Sequence, residues 1–289
     1  SKPSLSPYIN FKYFKKYLTY GLPIFFISLV GILASTIERL IGTYYFNLEA
    51  IAEIGMLAFI GSLFTIITGQ ILSLFSQYSR EYLIKTKDSE GLLGVYFVFT
   101  KMMLFFYSIF ASIFYMILKF FIIPAYLTEY TNIIDYFVLI YLIFLIRISI
   151  SILINWMLIT GERLKIAYSS LLFCVIAIAS ALAISLKFDF SMEYLFFTVI
   201  VAALTQLGFL LFHCLNLSNI RGGRFWLIIT LSLHILLPFL MIQNQHIEWL
   251  YFTYISVFTH LVINIYFIKV KNSYGHIKKT LFILRRKYE

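Results

Sequence analysis

The chain reads as an all-α polytopic membrane protein with about eight transmembrane helices. Three observations predict this. Hydrophobic residues make up 61% of the 289 and charged residues only 12%, about half the charge of a typical soluble domain. Apolar runs of about 20 residues recur along the whole chain, the length a helix needs to cross a ~30 Å hydrocarbon core. The alternating pattern of a β-barrel is absent, which leaves helices as the only way to satisfy the backbone inside lipid.

Residues 1–19 form a basic segment, with Lys2, Lys12, Lys15 and Lys16 interleaved with aromatic residues. It reads as a juxtamembrane, interfacial lead-in to the first span. The spans follow at roughly 20–46, 50–76, 91–118, 132–160, 164–187 and 193–217, a six-helix lobe over 20–217. Two additional helices, 224–243 and 248–270, occupy the segment 218–270. A basic tail, 271–289, closes the chain. The punctuation is local. Gly21-Leu22-Pro23 places proline in a first helical turn, where its missing N–H does no harm. Asn47, Asp88-Ser89, Gly161 and Gly222-Gly223 mark turns. Cys174 and Cys214 both fall in apolar runs and read as small core residues.

Loop charges orient the spans. One side collects the N-terminal lysines, Arg80, Lys85, Lys87, Arg163, Lys165, Arg221, Arg224 and the basic tail, while the other carries Lys119 and Lys187 alone. This asymmetry places both termini in the cytoplasm. The net charge of +10 is then an orientation signal with affinity for anionic headgroups, not a nucleic-acid footprint.

Charges inside the spans are the candidate functional residues, because each costs at least ~2.5–3.5 kcal/mol at mid-bilayer unless a cavity or partner receives it. Arg39, Lys101 and Arg147 are the three bases. Ser35, Arg39 and Thr43 share one helical face, as do Arg147, Ser151 and Asn155. Small and polar residues from Gly55 to Ser76 line one face of the second span, a pattern that suits close packing or a wet lumen. Glu38, Glu53 and Asp135 are the acids available for structural pairing or ion coupling. A cationic cavity lined by the first four helices would attract a phosphate or pyrophosphate. Glu38 and Arg39 are adjacent, so they point about 100° apart and must find different partners. His213 and His234 read as core residues, and His260 with Asn264 as a weak proton-path motif. The sequence calls for no cofactor and no metal.

The run "GLPIFFISLVGILASTIERLIGTYYFNLEAI" and its flanks, about residues 10–82, resemble a bacterial Wzx-type polysaccharide flippase. That family lies within the multidrug/oligosaccharidyl-lipid/polysaccharide exporter superfamily. The likeness rests on Gly21, Leu22, Pro23, Ser35, Glu38, Arg39, Leu48, Glu49 and Ala50, with Glu38 where aspartate is commoner in the family. The resemblance implies that the matching region begins the second lobe of a two-lobed transporter, followed by two additional helices, and that the chain is the later portion of a longer protein. It implies an activity: an undecaprenyl-pyrophosphate-linked oligosaccharide crosses from the cytoplasmic to the outer leaflet for surface polysaccharide synthesis, with Arg39, Lys101 and Arg147 holding the anionic head. Its expected partners are the bilayer, the lipid-linked oligosaccharide and other polysaccharide-assembly membrane proteins. Rival readings are a drug antiporter of the same superfamily, a polytopic glycan ligase, polymerase or acyltransferase, and a purely structural subunit. Three intramembrane bases disfavour cationic cargo, and short outer loops disfavour the enzymes.

Overall fold

A computed structural model describes residues 11–126 and 133–217. All regular structure among the described residues is helical. The helices are α1 (Phe11–Tyr45), α2 (Leu48–Thr86), α3 (Ser89–Ile117), the short α4 (Ile123–Tyr126), α5 (Ile133–Thr160), α6 (Arg163–Ser185) and α7 (Met192–Leu217). Among the described residues five stretches are long and apolar enough to cross a membrane: Leu48–Thr86, Ser89–Ala125, Leu139–Thr160, Arg163–Ser185 and Met192–Cys214. The chain is thus an all-α polytopic membrane protein. The expected spans 224–243 and 248–270 and the basic tail lie outside the described residues.

Local chemistry sets the helix ends. Asn47 caps α2, its side-chain oxygen accepting from the Ala50 N–H at 3.0 Å, which satisfies one of the donors a helix start leaves unpaired. Lys87 turns through the left-handed region at φ 52° to end α2. Asp88 then caps α3 by accepting from the Gly91 N–H at 2.8 Å. Its second oxygen accepts from the Tyr82 hydroxyl at 3.2 Å, tying the end of α2 to the start of α3. Gly161, at φ +90°, makes the turn between α5 and α6, a conformation that costs a residue without Cβ nothing.

Two boundaries differ from the sequence expectation. Residues 11–19 of the basic segment and the first span are one continuous 35-residue helix, so Pro23 sits well inside α1 and not in its first turn. The missing proline N–H removes one ladder bond, while continuing the helix keeps the remaining backbone groups paired, the stronger demand in a membrane. At the other end of the lobe's third span, α3 runs into a π-turn, Leu118–Ile122, immediately before Pro124 in α4. A wider turn is one way a helix accommodates a residue that cannot donate to the ladder.

Helix α5 is the hub. It packs along α2, α3 and α7, while α6 packs against α7 and α1. Sixty-seven per cent of its span is buried against 13% for α2, so α5 is a core helix and α2 a peripheral one. Leu142, Ile146, Ile152 and Met157 of α5 are fully buried, as are Leu195, Ala202 and Ala203 of α7. Cys174 and Cys214 are buried free thiols in this core. Large apolar side chains such as Phe25, Ile32, Phe59, Phe106 and Phe121 point outward, as a lipid-facing surface requires.

The closest approach of α2 to α5 depends on a glycine. A Cβ at Gly61 would run into the Phe144 ring, and that ring is itself buried. Gly61→Ala should therefore overpack the α2–α5 contact at a cost of about 1–3 kcal/mol. A thermal scan of purified protein checks this: a clearly lowered midpoint is expected, and an unchanged one would mean that Phe144 swings away freely.

Candidate functional site

Two of the charged residues of the spans meet. Arg147, the fifteenth residue of α5, ion-pairs through Nη2 with Oε1 of Glu38 on α1, across 109 residues of chain. The Glu38 side chain is 10% exposed and that of Arg147 24%. The Arg147 guanidinium also lies 6.0 Å from the centre of the Phe144 ring, within cation–π range. Phe144 is the residue seated over Gly61, so the same ring that sets the α2–α5 distance supports the arginine. A buried acid or base alone in this surrounding would be strongly unfavourable, and pairing resolves both.

The pair closes a seam. Helices α1 and α5 do not otherwise pack along one another. Beside Glu38 lies a cavity of about 10 Å³ lined by Ile54 and Ala58 of α2, Ile140, Ile143 and Phe144 of α5 and Phe196 of α7. A second, equally small cavity is lined by Tyr107 of α3 and by α5 residues from Phe137 to Ile148. Each is about the size of one water, far below the volume of a sugar or a pyrophosphate.

Arg39 takes the opposite course from its neighbour. Glu38 is buried and Arg39 exposed, the divergence expected of adjacent helical positions. Among the described residues no acid lies within ion-pair distance of Arg39. Thr43, one turn on, is also exposed, and its hydroxyl donates to the Leu40 carbonyl at 2.9 Å. Glu53 is half-buried on α2, without an ion-pair partner among the described residues. Ser35, Lys101 and Asp135 lie on α1, α3 and α5, and their side chains are outside the described ones.

The polar stripe of α5 is used within the bundle. The Ser151 hydroxyl donates to the Arg147 carbonyl at 2.9 Å. Asn155 accepts from the Tyr96 hydroxyl of α3 at 2.7 Å. On α2, the hydroxyls of Ser62, Thr65, Ser73 and Ser76 all donate to carbonyls of their own helix. Those side chains are satisfied whatever faces them, so the stripe does not by itself demand a wet lumen.

Several polar contacts between helices were not singled out from the sequence. Thr68 of α2 and Tyr107 of α3 share a buried hydrogen bond. Gln206 of α7 donates towards Ser169 and Ser170 of α6 at 3.5 and 3.4 Å. Tyr45 of α1 donates to Ser185 of α6 at 3.0 Å. A lone amide in an apolar helix and tyrosines at span depth were the available signals.

Fold and site together define a polytopic helical membrane protein with a charged pair enclosed among its helices. Comparison with protein-family models, with curated proteins and with solved structures finds no match to this chain.

The pair makes a specific energetic prediction. Arg147→Ala leaves Glu38 uncompensated and should cost about 3–5 kcal/mol, whereas the Glu38→Ala/Arg147→Ala double variant should lose far less. Unfolding of the reconstituted variants measures both, and the interaction energy of the cycle should be large and favourable. Additive losses would show that the two charges do not depend on each other.

Proposed function

We propose that the chain is the lumen-forming part of a flippase that moves a lipid-linked oligosaccharide, carried on undecaprenyl pyrophosphate, from the cytoplasmic to the outer leaflet. In this reading the protein resides in the cytoplasmic membrane of a bacterium with both termini inside, and it works beside other membrane proteins of surface-polysaccharide assembly. It performs transport and no covalent chemistry.

The observation that carries the reading is Arg39, an exposed base on α1 with no acid partner among the described residues, somewhat outside the midplane of the expected first span. An arginine facing lipid tails would be costly, so a polar space or an anionic group is its natural counterpart. A guanidinium suits a phosphate or pyrophosphate, which it can grip with two parallel hydrogen bonds. Thr43 adds a hydroxyl on the same face. The likeness of residues 10–82 to the flippase family supports the identity of the cargo, and the loop charges support the orientation. Lys101 and Ser35 belong to the proposed lumen on the same sequence grounds. Arg147, with Ser151 and Asn155 below it, borders the lumen from the bundle side. Glu38, Glu53 and Asp135 remain the acids through which an ion gradient would act.

The two cavities beside α5 among the described residues, each about the size of one water, hold no cargo. The proposed transport therefore requires movement of this lobe against a second one, with access alternating between the two leaflets.

Arg39→Ala should lower export of surface polysaccharide roughly ten-fold or more, the scale of one lost charge-assisted hydrogen bond. Arg39→Lys, which keeps the charge and loses the fork, should fall between. The assay is surface polysaccharide in cells that depend on this protein for it, at matched protein levels. Normal export by Arg39→Ala would overturn the lumen assignment.

A further inference from the structure

The ion pair has an unused side. Among the described residues Arg147 has one hydrogen-bond acceptor, Glu38, although a guanidinium carries five donors. About a quarter of its side chain is exposed, while Glu38 is nearly enclosed. The arginine is therefore held on one edge and open on another. Glu38 has no such freedom. Around it stand Ile54, Ala58, Phe144 and Phe196, none of which stabilises a carboxylate.

We infer that the Glu38–Arg147 pair is a latch between α1 and α5 that an incoming phosphate-type anion releases by taking Arg147 from Glu38. The inference rests on the flippase reading for the source of that anion and on the geometry for the rest. A phosphate offers two oxygens to the open edge of the guanidinium and gains two parallel hydrogen bonds, against the single one that Glu38 accepts. Once Arg147 turns to the phosphate, the Glu38 carboxylate is a buried charge among apolar side chains. Its lowest-energy course is to leave the seam with α1. The two helices do not pack along one another, so this seam can part while α1 keeps its packing on α6, α2 and α7. Binding energy at the arginine is thereby converted into opening of the seam, and the small cavity beside Glu38 marks where it parts. Glu38 is a positioning residue in this scheme and Arg147 the anion-binding one.

The test uses Ala58→Cys, whose side chain lines the seam, in the full chain reconstituted into phosphatidylcholine vesicles. Cys174 and Cys214 are buried and supply the background rate. The readout is the rate of labelling by a water-soluble maleimide. Inorganic pyrophosphate should raise that rate several-fold and saturably, while chloride at equal ionic strength should not. Arg147→Gln should label fast with or without pyrophosphate. The charge-swapped pair Glu38→Arg/Arg147→Glu should return labelling to the slow rate. If Arg147→Gln does not fold, the pyrophosphate response of the parent decides alone. No acceleration by pyrophosphate overturns the latch, and so does fast labelling of a folded charge-swapped protein. Vesicles containing phosphatidylglycerol separate the sources of phosphate. Acceleration by that lipid alone keeps the latch and overturns the isoprenoid pyrophosphate as the group that opens it. Because export is not measured, failure of the latch and failure of the flippase reading are told apart.

Discussion

Inside a bilayer a charge cannot be left to solvent, and the Glu38–Arg147 pair is where this protein meets that constraint. The pair sets more than its own two side chains. For Arg147 to reach α1, α5 must be rotated so that Ile143 and Phe144 enter the seam between α1, α2 and α7. That rotation puts the Phe144 ring against α2, where only a glycine leaves room. The glycine in turn allows α2 to lie close along α5. One electrostatic requirement thus propagates into helix rotation, residue choice and interhelical distance.

The other polar contacts between helices are of a weaker kind. Tyr96 with Asn155, Thr68 with Tyr107, Tyr45 with Ser185 and Gln206 with its two serines each link neighbouring helices by neutral hydrogen bonds. Such bonds average about 0.6 kcal/mol between membrane helices, because the separated helices find other partners in lipid. They tune register between helices already brought together by packing. An ion pair differs in its alternative state, since neither charge has a tolerable partner in hydrocarbon. The neutral bonds locate the helices, and the charged one forbids their other arrangements.

The helix boundaries were legible in the sequence because their causes are local. Asn47, Asp88 and Gly161 act on backbone groups within a few residues, so composition at the boundary is sufficient information. Pro23 was misread for the opposite reason. Whether a proline begins a helix or sits within one depends on what precedes it, and a basic, aromatic segment at the membrane surface has reason to stay helical. The ion pair was legible only in half. Adjacent positions on a helix had to diverge, which separates Glu38 from Arg39. The partner of Glu38 depends on which helices become neighbours, and no spacing within one helix reports contacts 109 residues apart. Serine and threonine stripes proved least informative, because back-bonding to their own helix satisfies those hydroxyls wherever they face.

The divergence of two adjacent residues has a mechanical consequence. Glu38 and Arg39 ride on the same turn of α1, one locked into the seam and the other exposed. A helix moves as a rigid rod over a single turn, so neither can shift without the other. An anion that draws Arg39 outward also strains the hold of Glu38 on Arg147. Conversely, under the proposed latch the contact of α1 with α5 lasts only while Glu38 keeps its partner. Charge placed on the exposed face of α1 and stability of the closed bundle are therefore two readings of one equilibrium, linked reciprocally as any two binding events on a two-state element must be. An adjacent acid and base in an apolar helix, poorly placed to neutralise each other, are well placed to couple a surface event to the core.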